Sequence, residues 1–143
     1  MLNHNKSLII AGGLSILGGL LHLGIIIGGP DWYRFFGAGE GMAQMAEKGM
    51  AYPAITTAGI ASVLFIWAAY AFSGAGLIKR LPLLRTGLVL ISLIFVIRTL
   101  FGMAAVYYID HPYLNELQVR PAFMIGSSLV CFVYSVLYIV GTV

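Results

Sequence analysis

The sequence predicts an all-α fold: an integral membrane four-helix bundle with an extracytoplasmic amphipathic helix between the first two spans. Three observations carry that expectation. Hydrophobic residues make up 60% of the 143 and charged residues only 9%, with a mean hydropathy of +0.96. Soluble domains run near a quarter charged, so a chain with so few charges cannot cover a soluble surface. Four stretches each reach the roughly 20 apolar residues that a spanning helix needs. None of them alternates as a strand would, and lipid leaves no backbone group unpaired, so these runs are helices.

The first span is expected over Ser7–Gly29. Its weakly basic start at Lys6 imitates a signal peptide, but the run is long enough to span, and no small-x-small cleavage site precedes the polar loop. It is therefore expected to be a retained first helix. The second and fourth spans, Ala54–Ile78 and Ala122–Gly141, each follow a proline, Pro53 and Pro121. Proline at the first helical position loses no hydrogen bond and presets the backbone dihedral. The third span is Thr86–Ile109. Residues 1–143 are expected to form a single four-helix transmembrane domain. The two halves echo each other: each has a helix, an outer loop with an acid, an aromatic and a proline, then a Pro-Ala helix start.

The loops set the orientation. The connection Lys79–Arg85 carries three cations and no anion, and Lys6 adds another on the same side. The other two loops hold every acidic residue. The positive-inside rule then puts both termini in the cytoplasm and makes Tyr107, Tyr108 and Tyr113 part of an outer aromatic belt. The net charge of +3 does not point to nucleic acid, because the basic residues are scattered and form no patch able to neutralise a run of phosphates. The expected partners are the lipid bilayer and either another membrane protein or a second copy.

The first outer loop, from Pro30 to Pro53, is expected to hold the amphipathic helix. Asp31 is placed to cap a helix start and Gly49 to end one. Projected as a helix, Trp32, Phe35, Phe36, Gly39, Met42, Ala43 and Ala46 share a face, with Arg34, Gln44 and Lys48 opposite. Gly37, Gly39 and Gly41 weaken this helix in isolation, so it needs the bundle to hold it.

Three residues are candidates for a polar or ligand-binding centre: His22, Glu40 and Arg98. Arg98 lies about 18 Å along the third span at 1.5 Å per residue. A charge at that depth costs at least a few kcal/mol (~3) unless something answers it. Gly87, Ile91, Gly102 and Ala105 share roughly its face, so it is expected to point into the bundle. His22 follows Gly12, Ser15 and Gly19 on the small, polar face of the first span, in the outer half. Glu40 sits at the edge of the apolar face of the outer helix, where a carboxylate is placed to turn down toward Arg98 or His22. The sequence predicts that the three converge. Ser127, Cys131, Tyr134 and Tyr138 form a polar stripe on the fourth span, expected to bond between helices or line a pocket. Gly24 and Gly28 make a close-packing step, and Trp67 and Tyr70 are expected to wall the interior.

No catalytic residue, metal site or cofactor is assigned from the sequence. The single cysteine, Cys131, leaves no pair for thiol–disulfide chemistry. His4 and His111 fall at opposite ends, so no bis-histidine haem is expected. No Gly-x-Ser-x-Gly or His-Glu-x-x-His occurs, and no intramembrane acid pair offers a proton relay.

The stretch from His22 to Glu40, with Gly28-Gly29-Pro30-Asp31-Trp32-Tyr33-Arg34, Phe36-Gly37-Ala38-Gly39-Glu40 and the later Leu81-Pro82-Leu83-Leu84-Arg85, resembles small uncharacterised bacterial four-span inner-membrane proteins. That resemblance implies a bacterial inner-membrane location and carries over no activity. The leading expectation is a non-enzymatic accessory or scaffold subunit of a membrane complex. The alternative is a binder or enzyme for a small lipid-soluble ligand, a quinone or lipid, in an outward-facing intramembrane pocket. A homo-oligomeric transporter is third.

Overall fold

The computed structural model describes residues 5–143, leaving aside the side chains of residues 103 and 106. His4 lies outside the described residues. Among the described residues seven helices follow one another: α1 (Lys6–Gly28), α2 (Pro30–Phe35), α3 (Glu40–Glu47), α4 (Tyr52–Gly74), α5 (Leu84–Tyr108), α6 (Pro112–Gln118) and α7 (Pro121–Thr142). Four of them, α1, α4, α5 and α7, are long and apolar enough to cross a membrane. Each lies within a few residues of its expected position. Pro53 and Pro121 stand in the first turns of α4 and α7 as their chemistry demands.

The long helices close into a ring in the order α1, α4, α5, α7, with the most extensive packing of α1 on α4 and of α5 on α7. The chain is thus two antiparallel hairpins laid side by side, each carrying short helices in its connection. One end of the ring holds the start of α1 and the end of α7. There the Asn5 side chain accepts from the Leu8 N–H and donates to the Gly141 carbonyl at 2.6 Å. The α4–α5 turn lies at this same end, because a Cβ on Gly74 would strike both Leu8 and Leu88. Ser73 holds the turn, donating to the Lys79 carbonyl and accepting from the Leu81 N–H. The opposite end carries α2, α3 and α6, which form a cap.

The small residues of α1 are where neighbours press in. A Cβ on Gly12 would fall 2.6 Å from the Phe72 ring, and one on Gly19 would fall 2.6 Å from Phe65, both on α4. Gly24 and Gly28 serve a neighbour inside the chain. Trp32 folds back over them, 2.2 Å from where a Gly28 Cβ would stand. The centre of the ring is aromatic. Phe95 stacks on Tyr134 with ring centroids 4.7 Å apart and meets Trp67 edge-on at 5.3 Å. The fully buried Tyr138 hydroxyl lies 2.7 Å from the Ser15 hydroxyl and donates to the Trp67 carbonyl at 3.3 Å. The polar stripe of α7 therefore ties three helices together.

The expected single amphipathic helix is two helices. The chain breaks between Phe35 and Glu40, where Gly37 has φ +75° and Gly39 has φ +97°. Both angles lie where a side chain is strained, and a Cβ on Gly37 would also meet the Phe123 ring at 2.4 Å. Gly29 caps the start of α2, with Asp31 in its first turn instead of at the cap. Gly49 follows the end of α3 at φ +71°, as expected of a helix stop. Part of the apolar face meets the bundle: Ile25, Tyr33 and Ala43 are buried together, with Phe36, Ala38, Met42 and Ala46 packed around them, while Trp32 and Phe35 stay exposed.

Candidate functional site

The structure places His22, Glu40 and Arg98 in three different settings. Glu40 does not answer Arg98. Its carboxylate takes two hydrogen bonds from Arg34, from Nε and Nη2, each at 2.8 Å. Arg34 Nη2 also donates to Glu47 at 2.7 Å, and Asp31 lies 3.4 Å from Nη1. The reason is local. The glycine break folds α3 back so that the acid meets the arginine six residues before it, across a turn that a continuous helical projection does not contain. The bidentate Arg34 contact holds the Glu40 carboxyl below the usual carboxylate range, and the carboxylates in turn push the Arg34 guanidinium up.

A strap from α6 and α7 locks this cap. Tyr113 donates to the Gly37 carbonyl at 2.8 Å. Burial pushes its phenol pKa up, so it stays a neutral donor. Glu116 accepts the Glu40 N–H at 2.8 Å, supplying from another helix the negative cap that Gly39 cannot give α3. Arg120 donates to the Arg34 and Phe35 carbonyls, both at 2.7 Å, and lies over the Phe123 ring. These bonds surround a surface hollow of about 480 Å³ lined by Arg34, Glu40, Glu116 and Arg120. The charged groups around it are bonded within the chain, so the hollow is a seam of the cap. None of Arg34, Glu116, Arg120 or Tyr113 stands out in the sequence as a partner of the glycine turn. Tyr107, Tyr108 and Tyr113 are all exposed, and the Tyr113 hydroxyl is tied to the Gly37 carbonyl.

Arg98 points into the bundle at the α5–α7 contact. Gly102, one turn on, makes room for it: a Cβ there would lie 2.0 Å from Nη1. Nη2 donates to the Ser127 hydroxyl at 3.4 Å, and Ser127 itself donates to the Met124 carbonyl. Nη1 is buried with no hydrogen-bond partner. The ion pairs among the described residues all belong to Arg34. Arg98 is thus a cation held by one long bond, with no carboxylate beside it.

His22 lines a separate feature. Near the termini α1 and α7 touch closely, through Asn5 and Gly141, then Ser15 and Tyr138, then the Tyr134 hydroxyl donating to the Leu14 carbonyl. Toward the cap they part. The gap is an apolar groove of about 500 Å³. Leu17, Leu21 and His22 form one wall, Val130, Cys131 and Val133 the other, with Leu64 and Phe95 also lining it. His22 Nδ1 lies 2.7 Å from the Gly18 carbonyl. A carbonyl only accepts, so Nδ1 carries a proton and donates it to Gly18. The sequence flagged His22, Cys131 and Tyr134 here. It missed the leucines and valines, which read in the sequence as ordinary lipid-facing positions. Among the described residues no cluster of three or more His, Cys, Asp or Glu is placed to hold a metal. Compared with protein-family models, curated proteins and solved structures, the chain matches none.

Proposed function

We propose that this is a non-enzymatic membrane protein that binds one small lipid-soluble molecule in the groove between α1 and α7. One observation carries the reading: the first and last spans part to leave about 500 Å³ of apolar space, within the size range of small-molecule sites, with a single titratable nitrogen base on its wall. The groove opens between two helices that would face lipid, so a ligand reaches it sideways from the bilayer. The apolar leucine and valine walls suit a hydrocarbon tail. His22 adds one polar contact that fixes depth or orientation. The accessory-subunit reading drew on an amphipathic outer helix free to meet a partner. Part of that apolar face packs within the chain, around Ile25, Tyr33 and Ala43, while Trp32 and Phe35 stay exposed, so less of it is left for a partner.

Native mass spectrometry of the purified protein, beside Val130→Trp, tests this. The indole would fill the groove from a half-exposed wall position, and the fold should tolerate it. A small apolar molecule retained by the wild type and lost from Val130→Trp is the expected result. A stoichiometric protein subunit, with no small molecule retained by either form, would return the accessory reading.

A further inference from the structure

We infer that the groove selects a single-chain lipid anion of the fatty-carboxylate class, with its head group drawn to Arg98. This rests on the groove reading above and names the chemistry of its occupant. The first argument is position. Phe95 on α5 and Cys131 on α7 both line the groove. Arg98 is three residues beyond Phe95, and its partner Ser127 is four residues before Cys131 on an antiparallel helix. The Arg98–Ser127 pair therefore sits about one helical turn, roughly 5 Å, farther toward the cap than Phe95 and Cys131.

The second argument is charge. A cation at this depth without a counter-charge is costly, and the usual answers are a partner carboxylate, a backbone carbonyl or a functional ligand. The structure supplies only a hydroxyl at 3.4 Å, the outer limit of a hydrogen bond, and leaves Nη1 buried and unpartnered. The nearest candidate acid in sequence logic, Glu40, is spent on Arg34. A planar carboxylate matches the forked donors of a guanidinium so weakly held. The third argument is shape. The groove offers one apolar slot between two helices, which suits one chain and not the paired chains of a diacyl lipid. A neutral quinone or alcohol would fill the slot but leave the cation unanswered.

The test is binding of palmitate and of its matched alcohol, hexadecanol, to delipidated protein in detergent, at a pH where the acid is ionised. Wild type, Arg98→Met, Arg98→Lys and Val130→Trp are compared. Palmitate should bind at least about tenfold tighter than hexadecanol to the wild type, the worth of a charge-assisted hydrogen bond. Arg98→Met should bring palmitate down to the affinity of the alcohol without changing the alcohol, and Arg98→Lys should recover part of the preference. Val130→Trp should weaken both. Equal binding of acid and alcohol to the wild type, or a preference that survives Arg98→Met, overturns the head-group assignment and leaves the groove standing. Failure of both ligands to bind, or binding untouched by Val130→Trp, overturns the groove itself.

Discussion

Arg98 shows how far a single residue can be read. Its depth in the third apolar run, and the small residues on its face, placed it inside the bundle before any coordinates. Its partner was not legible, because depth says that a charge needs an answer and says nothing about which side chain reaches it. Glu40 was the best-placed acid on a continuous helix, but the chain is not continuous there. The consequence is measurable in a double-mutant cycle on thermal stability in detergent. Glu40→Gln and Arg98→Met should have additive effects, within the few tenths of a kcal/mol (about 0.3–0.5) typical of independent sites. Arg98→Met alone should leave the melting temperature of delipidated protein unchanged or raise it, since it removes a buried cation that lacks a carboxylate. A strong coupling between the two would show that they meet, and would contradict the Arg34 pairing.

At the level of elements, the cap behaves as one unit because Arg34, Glu40, Glu47, Glu116 and Arg120 tie α2, α3, α6 and α7 together. Its pH response follows from Glu40. The carboxyl is held below its ordinary value by Arg34. Its contribution is therefore fully present above the unfolded carboxylate pKa, about 4.3, and is lost as the pH falls through the lower folded value. Trp32, which lies over Gly24 and Gly28 beside this cluster, can report it in a Trp67→Phe background. Its emission should stay flat from neutral pH down to the carboxylate range and shift red below it. A shift beginning above about pH 6 would mean that a histidine, not Glu40, controls the cap. The long helices were legible because hydropathy and proline placement act over twenty or so residues and average out local error. The cap was not. Two positive-φ glycines reverse the chain between Phe35 and Glu40, and a helical projection carried across them assigns Arg34 and Glu40 to different faces. The strap from α6 was invisible for a further reason: it joins residues about eighty positions apart through backbone carbonyls, which carry no sequence signature.

Across the whole molecule, the two hairpins are joined at the centre by hydroxyl chemistry and aromatic stacking. Tyr138 is the joint, reaching Ser15 on α1 and the Trp67 carbonyl on α4 from its place on α7. Tyr138→Phe should cost about 1–3 kcal/mol, because it leaves the buried Ser15 hydroxyl without its partner. Adding Ser15→Ala should return part of that loss, since two apolar groups in place of two bonded ones leave nothing unsatisfied. Thermal melts of the two single variants and the double variant decide it, and a double variant no better than Tyr138→Phe would show that the two hydroxyls do not depend on each other. The groove sits on this same seam, where the first span in chain order meets the last. Its two walls are separated by most of the sequence, so no early part of the chain contains it. A nascent chain that has released α1, α4 and α5 can form one hairpin and half of another, but the groove comes into being only when α7 arrives. Under the proposed reading, a molecule in the groove would then act as a seal on assembly, holding α7 to α1 across a gap that is not formed until both are made.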